Sequence, residues 1–265
     1  MGVGQILLFV IIVMVAYIIE GVIGFGGTII AIPLASAIVG LKPTVPVLTI
    51  VVLIASTIIA IKDIKFINKK EFLKITTLMM VGLPIGMWLF ESIPEKPLKI
   101  ALGIFMVIIG IKGLYEEKRK SNDLGEIVLE IETNLNKDCI SIEETTSKRL
   151  NIFQNFTIFC GGVLHGAFTC GGPFIVVYAT KNIKDKTSFR ATLCALWASL
   201  NLVMVGIDIY TNEITKDIIK LSFITMIFVF IAIIVSNIIH KKINSDSFTT
   251  FVYIALIVSG ILMIK

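Results

Sequence analysis

Apolar residues in this chain neither alternate nor keep a helical stripe; they run on in long blocks, at roughly 3–19, 28–40, 44–61, 72–90, 97–114, 151–168, 173–180, 189–209, 218–239 and 247–264. The longer blocks approach the roughly 20 residues that a helix needs to cross about 30 Å of hydrocarbon. Strand alternation is absent, which predicts helices rather than a barrel. Two blocks, 28–40 and 173–180, are too short to span. Each directly follows a glycine-rich segment, Glu20-Gly21-Val22-Ile23-Gly24-Phe25-Gly26-Gly27-Thr28 in one case and His165-Gly166-Ala167-Phe168-Thr169-Cys170-Gly171-Gly172-Pro173 in the other. Non-helical backbone at membrane depth is tolerated only where protein buries it or where it lines a watery cavity. The two breaks therefore predict half-helices, each the returning arm of a hairpin, and a shared polar site.

Between Tyr115 and Leu150 the pattern changes to mixed charge, opening with Glu116-Glu117-Lys118-Arg119-Lys120 and continuing with Glu126, Glu130, Glu132, Asp138, Glu143 and Glu144. It reads as a solvated central loop with room for an amphipathic helix around Ile127, Leu129 and Ile131. Lysines then assign sides. Lys62, Lys65, Lys69, Lys70 and Lys74 fill one loop, Lys181, Lys184, Lys186 and Arg190 a second, and Lys241-Lys242 follow the penultimate block. The positive-inside rule puts these in the cytoplasm, together with the central loop, whose membrane ends carry Lys112, Lys118, Arg119, Lys120, Lys148 and Arg149. The loops near 91–96 and 210–217 balance acid against base and fall outside. On this tracing both termini emerge outside.

Each half then holds one hairpin and three spans, an odd number of crossings, so the halves face opposite ways. The expected fold is an all-α polytopic integral membrane protein of two inverted-topology repeats, residues 1–114 and 151–265, joined by a cytoplasmic polar linker at 115–150. Residue matches support the duplication independently of charge. Setting Glu20 on His165 places Gly21 on Gly166 and Gly26-Gly27 on Gly171-Gly172, and Gly86 to Gly110 runs beside Ser236 to Gly260 without a gap.

Composition narrows the class. Of 265 residues 56% are hydrophobic and 16% charged, too apolar for a soluble domain of this length. Residues 3–19 lack an Arg/Lys-rich leader and a small-residue cleavage site before Glu20, so they are expected to stay as a helix. The net charge of +5 sits in loops beside membrane blocks, which argues for topology and against nucleic acid. Cys139, Cys160, Cys170 and Cys194 show no CxxC spacing, and small buried side chains are the expectation. A metal site from Cys160, His165 and Cys170 matches no ligand set, and neither metal nor cofactor is expected.

These features resemble the TauE/SafE sulfite exporter-like family of membrane transporters, also called TSUP. The likeness covers essentially the whole chain: the GxxGFGG-type break at Gly21–Gly27 followed by Pro33, the GxxxxGGP counterpart at Gly166–Pro173 after a polar central stretch, and late glycines at Gly110 and Gly260. The resemblance implies secondary transport, usually export, of a small anion such as sulfite or another organosulfur or organic acid across the cytoplasmic membrane. It leaves the passenger and the oligomeric state open.

The residues themselves suggest where an anion would sit. Gly24, Phe25, Gly26, Gly27 and Thr28 precede one half-helix, and Thr169, Cys170, Gly171, Gly172 and Pro173 precede the other. Free N–H groups gather at such starts, glycine lets an anion approach them, and Pro173 gives up an N–H the helix would not use. The same glycines also serve close helix crossing, and the two roles are compatible. Asn201, with Ser199, Trp197, Ser56, Thr57 and more weakly Thr49, can complete the anion's hydrogen-bond shell or tie helices together. Glu20 and His165 occupy equivalent repeat positions and are the candidates for proton coupling; a Glu20 at the outer interface and a His165 bonded to a freed carbonyl is the other reading. Arg190 opens its block at the cytoplasmic side, where topology or lipid phosphate accounts for it. The rivals to an alternating-access transporter are a passive anion channel and a membrane-embedded enzyme, the latter without an HExxH or GxSxG motif.

Overall fold

The computed structural model describes residues 2–23, 26–131, 143–183 and 185–240, together with Ile254, Ile257, Val258, Gly260, Ile261 and Ile264. In chain order the helices are α1 (Val3–Ile23), α2 (Gly27–Val39), α3 (Leu41–Lys62), α4 (Lys69–Ser92), α5 (Glu95–Ile131), α6 (Glu143–Phe168), α7 (Gly172–Asn182), α8 (Lys186–Tyr210) and α9 (Lys216–His240), with a 3-10 turn at Ile64–Phe66. No strand occurs among the described residues. Six helices, α1, α3, α4, α5, α8 and α9, contain a stretch long and apolar enough to cross a membrane. The expected all-α polytopic membrane protein is what the chain forms. α2 and α7, of 13 and 11 residues, are short of spanning length and start at Gly27 and Gly172, within one residue of the expected positions. The block at 247–264 and Lys241-Lys242 fall largely outside the described residues.

The stretch after Tyr115 departs from the expected loop. α5 runs on to Ile131, taking in Ile127, Leu129 and Ile131, and α6 is already helical at Glu143. Glu, Lys and Arg are good helix formers, no proline lies between Pro97 and Pro173, and Glu116 stands four residues before Lys120. Polarity marks where lipid contact ends, not where the helix ends.

α1 packs on α9, α4 on α6 and α3 on α8, while α2 folds back on α1 and α7 on α6. α3 also meets α9, and α8 meets α4. These partnerships map onto one another when α1, α2, α3 and α4 exchange places with α6, α7, α8 and α9. The closest approach joins α4 to α6: a Cβ at Gly82 or Gly86 would overlap backbone of Phe159 and Val163, and one at Gly162 or Gly166 would overlap backbone of Met79 and Leu83. In the α1/α9 pair, Gly21 lies in the same way on Ser236. Small residues at such crossings let helix backbones touch where lipid gives no hydrophobic drive to associate. α2 turns into α3 through Gly40 alone, at φ 89°, a backbone conformation that glycine adopts without steric cost.

Leu7, Leu8, Ile11 and Val15 on α1, and Phe223, Ile227, Phe230 and Ile234 on α9, are exposed, whereas Thr49, Thr192, Asn201 and Thr225 are buried. This inside-out polarity suits a lipid-facing exterior. The lysine-bearing loops 62–74 and 181–190 meet at one end of the bundle, where the Asn68 N–H donates to Thr192 Oγ1 (2.9 Å) and Tyr178 donates to Glu71 (2.7 Å). Lys74 Nζ lies 4.8 Å from the centre of the Tyr178 ring.

The glycine crossing makes a testable demand. Gly86→Ala and Gly166→Ala each force α4 from α6 and should cost about 1–3 kcal/mol, lowering the melting temperature of the detergent-purified protein. Gly206→Ala, where a Cβ meets nothing within 4 Å, should leave it unchanged.

Candidate functional site

At the first break Gly26 takes φ 98°, in the left-handed region, and α2 begins at the next residue. The start of α2 rests against Glu20 of α1. A Cβ on Gly27 would overlap the Glu20 carboxyl, and the Gly27 and Thr28 N–H groups interact with that carboxyl. Glu20 Oε2 is buried and makes no well-directed hydrogen bond of its own. A carboxylate here complements the partial positive charge at a helix N-terminus.

The second break is built differently. Thr169 adopts φ 54°, uncommon for a β-branched residue and the mark of a strained position held by its surroundings. Two contacts hold it: its N–H donates to the His165 carbonyl (2.7 Å), and its hydroxyl lies 2.9 Å from that of Thr49 on α3. Thr49 donates to the Val45 carbonyl (2.9 Å), which leaves Thr169 as donor in the pair. A Cβ on Gly171 would overlap the Gly161 carbonyl, so the chain re-enters directly against α6. His165 is 1% exposed, stacks on Trp197 with ring centres 5.2 Å apart, and has no hydrogen-bond partner on either ring nitrogen.

Both breaks face one internal cavity of about 10 Å³, lined by Glu20, Gly26, Thr28, Ile29, Val52, His165, Thr169, Gly172 and Trp197. That is room for about one water molecule and none for a polyatomic anion. Of the residues singled out from sequence, Glu20, Gly26, Thr28, His165, Thr169, Gly172 and Trp197 form its wall. Gly27 stands beside Glu20, Gly171 packs on α6, Cys170 is buried, and Pro173 lies in the first turn of α7. Gly24 and Phe25 lie outside the described residues. Asn201 is fully buried one turn beyond Trp197, whose carbonyl accepts from its Nδ2 (2.7 Å), while its Oδ1 has no partner. Ser56, Thr57 and Ser199 turn their hydroxyls back to carbonyls of their own helices, those of Val52, Leu53 and Ala195. Val52 and Ile29 were not foreseen as wall residues. One signal was available: Trp197 follows His165 at the same spacing as Val52 follows Glu20.

A second, larger space of about 160 Å³ opens at the end away from the lysine loops, among Lys42, Val45, Pro46, Met87, Phe90, Glu91, Gly166, Met204, Asp208 and Glu213. One layer separates it from the cavity. On α3, Thr49 stands between Val45 of the vestibule and Val52 of the cavity; on α8, Asn201 stands between Met204 and Trp197. Toward the lysine-bearing end the path is blocked by more: Ile59, Ala60, Cys194 and Ala195 form an apolar plug with Ile67 and Phe72, beyond which lie the Asn68–Thr192 and Tyr178–Glu71 contacts. Among the described residues no group of three or more His, Cys, Asp or Glu side chains is placed to hold a metal ion.

The two glycines at the half-helix starts should respond differently to a methyl group. Gly27→Ala drives into Glu20 and should cost about 1–3 kcal/mol of stability. In Gly172→Ala the new carbon meets Ile29 Cδ1 at 3.5 Å and Trp197 Cζ2 at 4.0 Å, ordinary contact distances, so thermal melting should stay at the wild-type value while the cavity fills.

Comparison with known proteins adds the last element. No curated protein and no solved structure matches the chain. The family described as Sulfite exporter TauE/SafE matches it over residues 8–263, nearly its full length and through both breaks. The chain therefore belongs to the TauE/SafE sulfite exporter family of membrane transporters.

Proposed function

We propose that the protein is a secondary transporter, working in the direction of export, that carries sulfite or a related small organosulfur or organic anion across the cell membrane by alternating access. One observation carries the reading: two half-helix starts, one from each half of the chain, border a single buried cavity together with Glu20 and His165. Helix N-termini present unpaired N–H groups and partial positive charge to an anion, and broken helices meeting inside a bundle are how transporters build such sites. Gly26, Gly27, Thr28, Thr169, Gly171 and Gly172 supply backbone and hydroxyl donors around the anion, and Asn201 offers its unused polar atom as the layer above opens.

The exchange symmetry of helix partners supports two repeats of opposite orientation. The gathering of the lysine loops at one end supports a cytoplasmic placement for that end, with the vestibule outside. The closed cavity then lies between one thin barrier facing outward and a thicker one facing inward. Rocking the repeats against each other would thin one as the other forms. Glu20 and His165, at matching places in the two halves, are the groups through which proton movement would be tied to anion movement.

Reconstitution tests this directly. Proteoliposomes loaded with labelled sulfite, sulfoacetate, sulfate or small carboxylates, at two internal pH values, should show protein-dependent flux of at least one anion and accumulation against its gradient when a pH difference is imposed. Flux that only dissipates a gradient would identify a passive pore, and no flux of any anion would refute the reading. In Glu20→Gln and His165→Ala, pH-driven accumulation should fall to the level of empty vesicles; retention of the wild-type pH dependence in both would remove them from the coupling role.

A further inference from the structure

The cavity wall has an unusual charge inventory for an anion site: among the described residues it carries one carboxyl, Glu20, one histidine, and no lysine or arginine. The positive charge it offers comes from the starts of α2 and α7, roughly +0.5 each, about +1 together. At the first of these starts the chain places a carboxyl of its own, since Glu20 fills the space where a Cβ on Gly27 would stand. At the second, the buried His165 faces the cavity with both ring nitrogens unpartnered, a polar group waiting for a ligand. The cost of bringing an ion out of water grows as the square of its charge, so a dianion costs roughly four times as much as a monoanion, and burial without a compensating charge is not sustained.

From this balance we infer that the site holds one negative charge at a time: either the Glu20 carboxylate, or a monovalent oxyanion that enters as Glu20 takes up a proton and leaves as it loses it, with dianions refused. The inference rests on the anion-transport reading and adds substrate charge and stoichiometry to it. One proton and one monoanion cross together, so the cycle moves no net charge. Glu20 acts as a tethered competitor of the passenger for the same N–H groups. The titratable groups nearest it are Tyr17 one turn earlier on α1, His165 across the cavity on α6 and Cys194 on α8; Arg190 and Asp63 stand farther off, near Cys194 on the lysine-loop side.

The test uses the full chain in proteoliposomes with sulfite, methanesulfonate, formate and sulfate. Methanesulfonate, formate and sulfate keep their charge near neutral pH, which separates titration of the protein from that of the passenger. The expected result is monoanion flux insensitive to an imposed membrane potential, sulfate flux at the level of empty vesicles, and an apparent affinity for the monoanion that weakens about tenfold per pH unit once Glu20 ionises. In Glu20→Gln the neutral side chain leaves the N–H groups open and no proton accompanies the anion, so net monoanion flux should lose this pH dependence and follow the membrane potential, while Glu20→Asp keeps both wild-type properties. The melting temperature of each variant checks folding. Sulfate carried as fast as the monoanions, wild-type flux that follows the membrane potential, or an unchanged pH profile in Glu20→Gln overturns the inference and leaves anion transport standing. Absence of flux for every anion overturns both.

Discussion

Everything near the centre of this bundle follows from one requirement: a helix broken at membrane depth exposes N–H groups that no water will satisfy. The chain meets it twice, by different means. At α2 the Glu20 carboxyl, carried by the last turns of α1, packs directly against the first residue of the helix. At α7, Pro173 removes one N–H altogether, and the approach to the helix is fixed by the Thr169 N–H on the His165 carbonyl and the Thr169 hydroxyl on Thr49. Glycine at positions 27 and 171 is then a packing necessity, because Glu20 and the Gly161 carbonyl occupy the space a Cβ would need. The polar site and the close packing are the same structural fact seen from its two sides.

The cavity is enclosed unequally. Toward the vestibule a single layer holding Thr49, Thr169 and Asn201 intervenes, crossed by a contact between the Thr49 and Thr169 hydroxyls. A neutral hydrogen bond contributes a net of about 0.5–1.5 kcal/mol, a small barrier to separation. Toward the lysine loops, an apolar plug and two further polar contacts stand in series. The carboxylates Glu91, Asp208 and Glu213 with Lys42 line the larger space at that end.

Much of this was legible in the residues, for identifiable reasons. The breaks could be placed to within a residue because a glycine doublet inside an apolar run has few other uses, and Glu20 and His165 stood out because ionisable groups are rare in such runs. Ile29 and Val52 left no such trace, since an apolar side chain on a cavity wall has the same chemistry as one facing lipid. Asn201 could have served an anion or tied helices together; its Nδ2 donates to the Trp197 carbonyl one turn back while its Oδ1 stays unpartnered, a detail that only three-dimensional packing fixes. A helix around Ile127, Leu129 and Ile131 was within expectation, but its continuity with the apolar part of α5 was not, because hydropathy is silent on helices that leave the membrane. The family likeness rested on the paired breaks, which the match over residues 8–263 spans.

The pairing of α1 with α9 and of α4 with α6 has a consequence for how the protein is made. α1 leaves the ribosome well before α9, its main partner. Until α9 arrives, Gly21 has no Ser236 to rest on, and Glu20 waits in or beside the bilayer without the cavity that later accommodates it. Biogenesis must therefore hold an unfinished first half in the membrane, with its one awkward carboxyl unsheltered, until synthesis of the second half supplies the other side of the fold.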